Sequence, residues 1–170
     1  MKALIVYESM YGNTRAVAEA VAEGLSPAYE TEVKPVTETT ADDVGRADLL
    51  VVGAPTHVHG LPRPATRKSA AETAASDDAL ALEPTAQQTG LREWFEHLDR
   101  GAGKRAAAFD TRLSAPPLFT GRASVSIAKH LRKSAFEAVG EPTSFLVDKQ
   151  NHLLDGELER AQAWGRQLVA

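Results

Sequence analysis

Five short apolar runs alternate along this chain with longer stretches that repeat their hydrophobic residues every three to four positions. The first run, Ala3–Tyr7, is apolar throughout, which predicts a strand buried on both faces. From Asn13 to Leu25 the apolar residues Val17, Val21 and Leu25 fall four apart with alanines beside them, which predicts a helix that Pro27 follows. Tyr29–Val36 alternates apolar and polar residues, as an edge strand does, and Ala41–Arg46 is a short helix or turn. Asp48–Gly53 is a second fully buried run. Arg67–Ala75 has helical spacing, whereas Ser76–Gly90 mixes Asp, Pro, Thr and Gln and is too long for an ordinary connection. Leu91–Leu98 reads as a helix with Trp94, Phe95 and Leu98 turned inward, and Lys104–Asp110 as the next strand. Ala123–Val139 reads as a long helix with Ile127, Leu131, Ala135 and Ala138 on one face. Pro142–Val147 is the last strand and Leu154–Val169 the closing helix.

Strand and helix in alternation imply an α/β fold: a parallel sheet with helices on both faces. In a chain of 170 residues with 43% hydrophobic and 25% charged content, this is a globular protein with a real core. There is no cysteine, which removes disulfides, thiolate metal sites, iron–sulfur clusters and a cysteine nucleophile, so redox chemistry would belong to a bound cofactor. No signal peptide is visible and nothing approaches the roughly 20-residue apolar span of a membrane helix, so a cytoplasmic protein without membrane insertion is expected. The net charge of −4 and the lack of aromatic–basic interleaving argue against nucleic acid as a partner.

The chemistry concentrates after the first strand, in Glu8-Ser9-Met10-Tyr11-Gly12-Asn13-Thr14. A strand that ends in a loop of hydroxyl, amide and glycine residues, with a helix starting at once, makes a phosphate pocket. Gly12 lets the backbone approach an anion, and the helix's first turn supplies free N–H groups and the positive end of its dipole. The plain alternative is a turn in which Asn13 or Thr14 merely caps the helix. Neither a Gly-Lys-Ser/Thr ending nor a G-x-G-x-x-G fingerprint is present, so the loop suits one terminal phosphate held by neutral donors.

Leu4–Leu25 resembles the opening of the flavodoxins, small FMN-binding electron carriers. Ser9, Tyr11, Gly12, Asn13 and Thr14 match the loop that holds the FMN phosphate. The resemblance implies a flavodoxin-like three-layer αβα sandwich, with a five-stranded parallel sheet in the order 2-1-3-4-5. It implies one such domain over residues 1–170, with 65–90 as an insertion or lid. In that order the loops after residues 7, 53 and 110 converge on the crevice where the first and third strands diverge. The implied cofactor-binding set is Ser9, Met10, Tyr11, Gly12, Asn13 and Thr14, then Pro55, Thr56, His57, Val58, His59 and Gly60, then Asp110, Thr111, Arg112 and Phe119. His57 stands where many relatives stack a tryptophan or tyrosine on the flavin. Gly60 is the counterpart of the peptide that answers flavin N5, and Phe119 is the nearest substitute for the tyrosine missing after the fourth strand. Phe119 serves equally well as a core residue beside Pro117. No catalytic or metal-ligating residue is expected. His57 and His59 lack a nearby carboxylate to complete a metal site, and Asp110 is better read as a turn residue than a general base.

Three functions compete. The first is electron transfer through FMN, between a reductase and a redox partner protein. The arginines near the expected rim distinguish that partner from the basic ones that meet typical flavodoxins. The second is an FMN-dependent NAD(P)H:quinone or protoporphyrinogen-type oxidoreductase, which an open ring face, a rim of Arg63, Arg67, Arg112 and Arg122, and a lid at 65–90 would suit. The third is a flavin-free binding module on the same fold, to which the missing aromatics give weight.

Overall fold

A computed structural model describes residues 1–77 and 79–169; Asp78, inside the segment 65–90, and Ala170 lie outside the described residues. The elements run in the order β1 (Lys2–Tyr7), α1 (Asn13–Leu25), β2 (Glu30–Pro35), a 3-10 turn (Val36–Glu38), α2 (Ala41–Arg46), β3 (Leu49–Pro55), α3 (Pro64–Ser76), α4 (Leu91–Trp94), β4 (Arg105–Leu113), α5 (Pro117–Thr120), α6 (Ala123–Lys133), β5 (Glu137–Ala138), β6 (Thr143–Val147) and α7 (Glu157–Gln167).

The sheet order is β2-β1-β3-β4-β5, all pairings are parallel, and β6 also pairs with β4. β5 and β6 therefore share the fifth position. Glu137 and Ala138 face Arg105 and Ala106, and Thr143–Val147 face Phe109–Leu113. Between the two stretches the chain swings out through Gly140, and a cavity of about 350 Å³ opens against Ala106, Ala107 and Ala108. Continuous apolar runs occupy the central positions, because strands covered on both faces have no solvated side.

Alternate residues of each strand feed two cores. Ala3, Ile5, Leu49, Val51, Phe109 and Phe145 pack under α1 and α7, and Leu4, Val6, Leu50, Val52, Ala106 and Ala108 pack under the opposite layer with Val44, Phe95, Ile127 and Leu131. Phe109, Phe145 and Trp164 meet edge to face with ring centroids 6.1 Å apart. The arrangement offsets the negative ring faces against positive ring edges. α1 and α7 approach at Gly24 and Gly165. A Cβ at Gly24 would lie 2.1 Å from the Gln162 carbonyl, so only glycine permits this spacing.

The long helix expected over Ala123–Val139 stops at Lys133. Ala135 takes a left-handed φ of 60°, which ends the helix and turns Phe136 into the core, and Glu137–Ala138 then joins the sheet. The closing helix starts at Glu157, three residues later than its spacing suggests, after a left-handed Gly156. α4 spans only Leu91–Trp94, though Phe95 still packs inward. α3 begins earlier than expected because Pro64 supplies a preset φ at its first turn.

Candidate functional site

The loop after β1 is closed on itself and open at its far end. The Gly12 N–H donates to Ser9 Oγ at 3.1 Å, and Gly12 takes φ +93°, a conformation that disfavours any side chain. Gly12 is the N-cap residue of α1 and brings no capping side chain. Asn13 and Thr14 do not cap the helix either. The Asn13 amide donates to the Asn151 carbonyl at 2.7 Å, and the buried Thr14 hydroxyl pairs with the Thr111 hydroxyl at 2.8 Å. A 13-residue helix thus presents its first-turn N–H groups and positive dipole end without a side-chain cap from these residues. Such an end meets the requirement of a phosphate.

A cleft of about 300 Å³ opens there, at the small end of the range for cofactor sites. Ser9, Met10, Tyr11, Asn13 and Thr14 line one side. Pro55, Thr56 and His57 from the end of β3 and Thr111 and Arg112 from the end of β4 line the floor. Among the described residues, Gly12, Val58, His59, Gly60, Asp110 and Phe119 are not in the lining. Val58 and His59 occupy a tight turn with φ of 45° and 69°, closed by His57 N–H to Gly60 O at 2.8 Å and Gly60 N–H to His57 O at 3.1 Å. Phe119 does not enter the core; it is 71% exposed on α5. Asp110 is fully buried below the cleft, where one carboxylate oxygen accepts the Ser124 N–H of α6 at 2.7 Å. Thr56 Oγ1 accepts the neighbouring Ala123 N–H at 2.9 Å, so two residues of the expected set hold the start of α6. Burial pushes the Asp110 carboxyl above the usual range, with Ser124 and Ser144 opposing that push.

Residues that the sequence patterns did not single out also line the cleft: Val147 at the end of β6, and Asp148, Lys149 and Asn151 from the loop after it. The signal was topological. In a parallel sheet every loop that follows a strand emerges at the same edge, so the polar run Asp148-Lys149-Gln150-Asn151 had to join the others. Thr73 of α3, Leu80, and Leu113 at the end of β4 complete the wall.

The segment between β3 and β4 braces the outer side of the first loop. The Tyr11 hydroxyl donates to the Ala70 carbonyl at 2.8 Å, the Glu83 N–H donates to the Met10 carbonyl at 2.7 Å, and buried Met10 packs on Ala70 and Ala86. Arg67 is not a rim residue: it is 4% exposed, with its guanidinium 3.3 Å from Glu8 and 2.7 Å from Glu93. Glu8 also accepts the Leu91 N–H at 2.9 Å. Burial pushes the Glu8 carboxyl up, while the Leu91 N–H and Arg67 pull against it. Arg112 is occupied locally, since its guanidinium donates to the Ala115 carbonyl at 2.7 Å. Arg122 donates to Ser144 Oγ at 3.2 Å and to the Pro142 carbonyl.

The sheet order, the crevice at the ends of β1, β3 and β4, and the uncapped helix start define a flavodoxin-like α/β protein. A family model described as flavodoxin matches residues 5–109, more than half of the sequence. The chain belongs to the flavodoxin family, whose members bind FMN as cofactor. A flavodoxin of Aquifex aeolicus is 48% identical over 59 residues, which are 34% of this chain and 32% of that protein, so the match spans about a third of the relative's length. Among solved structures, a flavodoxin from the domain Archaea superposes with a TM-score of 0.68 at 22% identity, over 99% of this chain and 96% of the other. Oxidised Flavodoxin 1 from Bacillus cereus gives 0.68 and 22%, over 99% and 97%. Among the described residues no helix is long and apolar enough to cross a membrane.

Proposed function

We propose that this chain holds FMN in the cleft and transfers electrons through it between a reductase and a partner protein. The observation that carries the reading is the uncapped start of α1, facing a cleft at the ends of β1, β3 and β4. Ser9 closes the loop, Gly12 clears the approach, and the first-turn N–H groups of α1 meet the phosphate. Thr111, fixed by Thr14, and His57 border the ring end. Bound FMN supplies the one- and two-electron chemistry that no side chain here provides. Val58 and Leu118 are 80% and 83% exposed, on the turn after β3 and on α5, which a bridge between His59 and Gly121 holds together. They give the partner an apolar contact at the rim. Electron carriage fits better than quinone reduction, because the basic rim that would favour the enzyme is depleted: Arg67 is internal, Arg112 is bonded to its own loop, and Arg122 is bonded to Ser144 and Pro142.

Titration of the apoprotein with FMN, followed by visible absorption near ~450 nm, tests the reading. Saturation at one flavin per chain is the expected result; no binding at high FMN overturns it. Turnover of NAD(P)H with a quinone and no added reductase would favour the enzyme instead.

His57 yields a separate expectation. Burial and the nearby Arg67 charge both push its pKa below the ordinary 6.5, so the ring is neutral at pH 7. The unfolded chain takes up this proton first as pH falls. The associated stability is therefore present above 6.5 and lost as pH drops through the depressed folded value. His57→Gln is expected to reduce the fall in urea midpoint between pH 7 and pH 5. An unchanged pH profile would show that this imidazole is solvated.

A further inference from the structure

We propose that Lys149 is a charge contact for the phosphate of the bound flavin, adding an ammonium group to the neutral donors of the first loop. This rests on the FMN reading above and concerns how the phosphate end of that site is recognised.

Lys149 lines the same cleft as Ser9, Asn13 and Thr14. Its loop is held in place from two directions. Within the loop, Asp148 Oδ1 accepts the N–H groups of Gln150 at 2.9 Å and His152 at 2.8 Å, and the Asp148 N–H donates back to the His152 carbonyl at 2.8 Å. Across the cleft, the Asn13 amide donates to the Asn151 carbonyl at 2.7 Å, which fastens the loop to the first residue of α1 two positions from Lys149. The loop that carries Lys149 is thereby tethered beside the helix end where an anion is favoured.

The neighbouring charges are already engaged. The Asp148 carboxylate is taken up by its own turn, with the His152 ring 3.5 Å away, and those N–H donors hold its pKa below the usual range. Arg112 faces the same cleft, but its guanidinium is bound to the carbonyls of Leu113 and Ala115. Arg15, in the first turn of α1, lies 3.4 Å from Glu83. Among the described residues Lys149 takes part in no ion pair. In a chain of net charge −4, an unengaged cation at this point offsets the repulsion that a phosphate dianion meets on entry.

The contact is specific for phosphate, so FMN and riboflavin separate it from every contact to the ring. Apoprotein is titrated with each flavin, following fluorescence quenching, in wild type, Lys149→Met and Lys149→Arg, at roughly 20 mM and 300 mM salt. Lys149→Met is expected to weaken FMN binding about threefold to fivefold at low salt, the upper scale of an exposed ion pair. It is expected to leave riboflavin affinity unchanged, and the deficit should shrink at high salt. Lys149→Arg should retain most of the affinity. Unfolding midpoints check that the variants fold. Unchanged FMN affinity and salt dependence in Lys149→Met, or equal weakening of both flavins, overturns the proposal while leaving the FMN site standing. A wild type that binds FMN no better than riboflavin overturns it as well. A wild type that binds neither flavin removes the FMN reading and this inference with it.

Discussion

Replacing Gly24 with alanine is expected to destabilise the protein by about 3 kcal/mol, the upper end for overpacking. Two effects compete. In a helix, alanine gains up to about 1 kcal/mol over glycine. Against this, the new Cβ would sit 2.1 Å from the Gln162 carbonyl and 3.0 Å from the Arg166 nitrogen, both backbone atoms that no rotamer change can move. The fit is reciprocal, since a Cβ at Gly165 would lie 2.4 Å from the Val21 carbonyl. Relief requires α1 and α7 to separate, which loosens Val17, Val21 and Leu25 from Trp164 and Leu168. The steric cost therefore prevails. Urea unfolding with Gly45→Ala as control gives the measurement. Gly45 lies in α2 with nothing within 4 Å of its missing Cβ, so that variant should hold or gain stability. A Gly24→Ala midpoint at or above wild type would show that the two helices are not this close.

Arg67→Met is expected to cost about 3–5 kcal/mol, the range for removing one partner of a buried ion pair. The Glu8 pair sets the size, because Glu8 and Arg67 are 5% and 4% exposed whereas the Glu93 side chain is 32% exposed. Without the guanidinium, Glu8 keeps the Leu91 N–H and loses its counter-charge. Its carboxyl, already raised by burial, then rises further. A group whose folded pKa lies above its unfolded value contributes stability that is present at low pH and lost as pH climbs through the folded value. The variant should accordingly be hurt more at pH 7 than at pH 5, and adding Glu8→Gln should recover part of the loss. Equal destabilisation at both pH values would mean that Glu8 reaches water. FMN affinity should fall too, since Glu8 leads directly into the loop proposed to hold the phosphate.

The sheet was legible wherever a run was apolar without interruption. Ala3–Tyr7, the core of Asp48–Gly53 and the Ala106–Phe109 run all became central strands, because burial on both faces leaves no other pattern. Helix ends were less legible. Ala135 and Ala138 continue the spacing of Ile127 and Leu131, yet the chain leaves the helix at Lys133. A left-handed Ala135 and a buried Phe136 leave no mark in the periodicity. At the site, the first loop was readable because its chemistry is local: glycine, hydroxyl and amide within six residues. Lys149 was not, since its place depends on a tether between Asn13 and Asn151. Arg67 looked like a rim cation because its partner Glu8 is 59 positions away in sequence.

Those same tethers bear on when the binding capacity arises as the chain is made. The links that hold the loop after β1 join residues separated by 59, 97 and 138 positions: Glu8 to Arg67, Thr14 to Thr111, and Asn13 to Asn151. A nascent polypeptide emerging from the ribosome exposes the loop after β1 before the loop after β6, and it obtains the last of these links only once Asn151 has been synthesised. Flavin capture at the proposed site is thus coupled to closure of the sheet out to β6 rather than to the first loop alone.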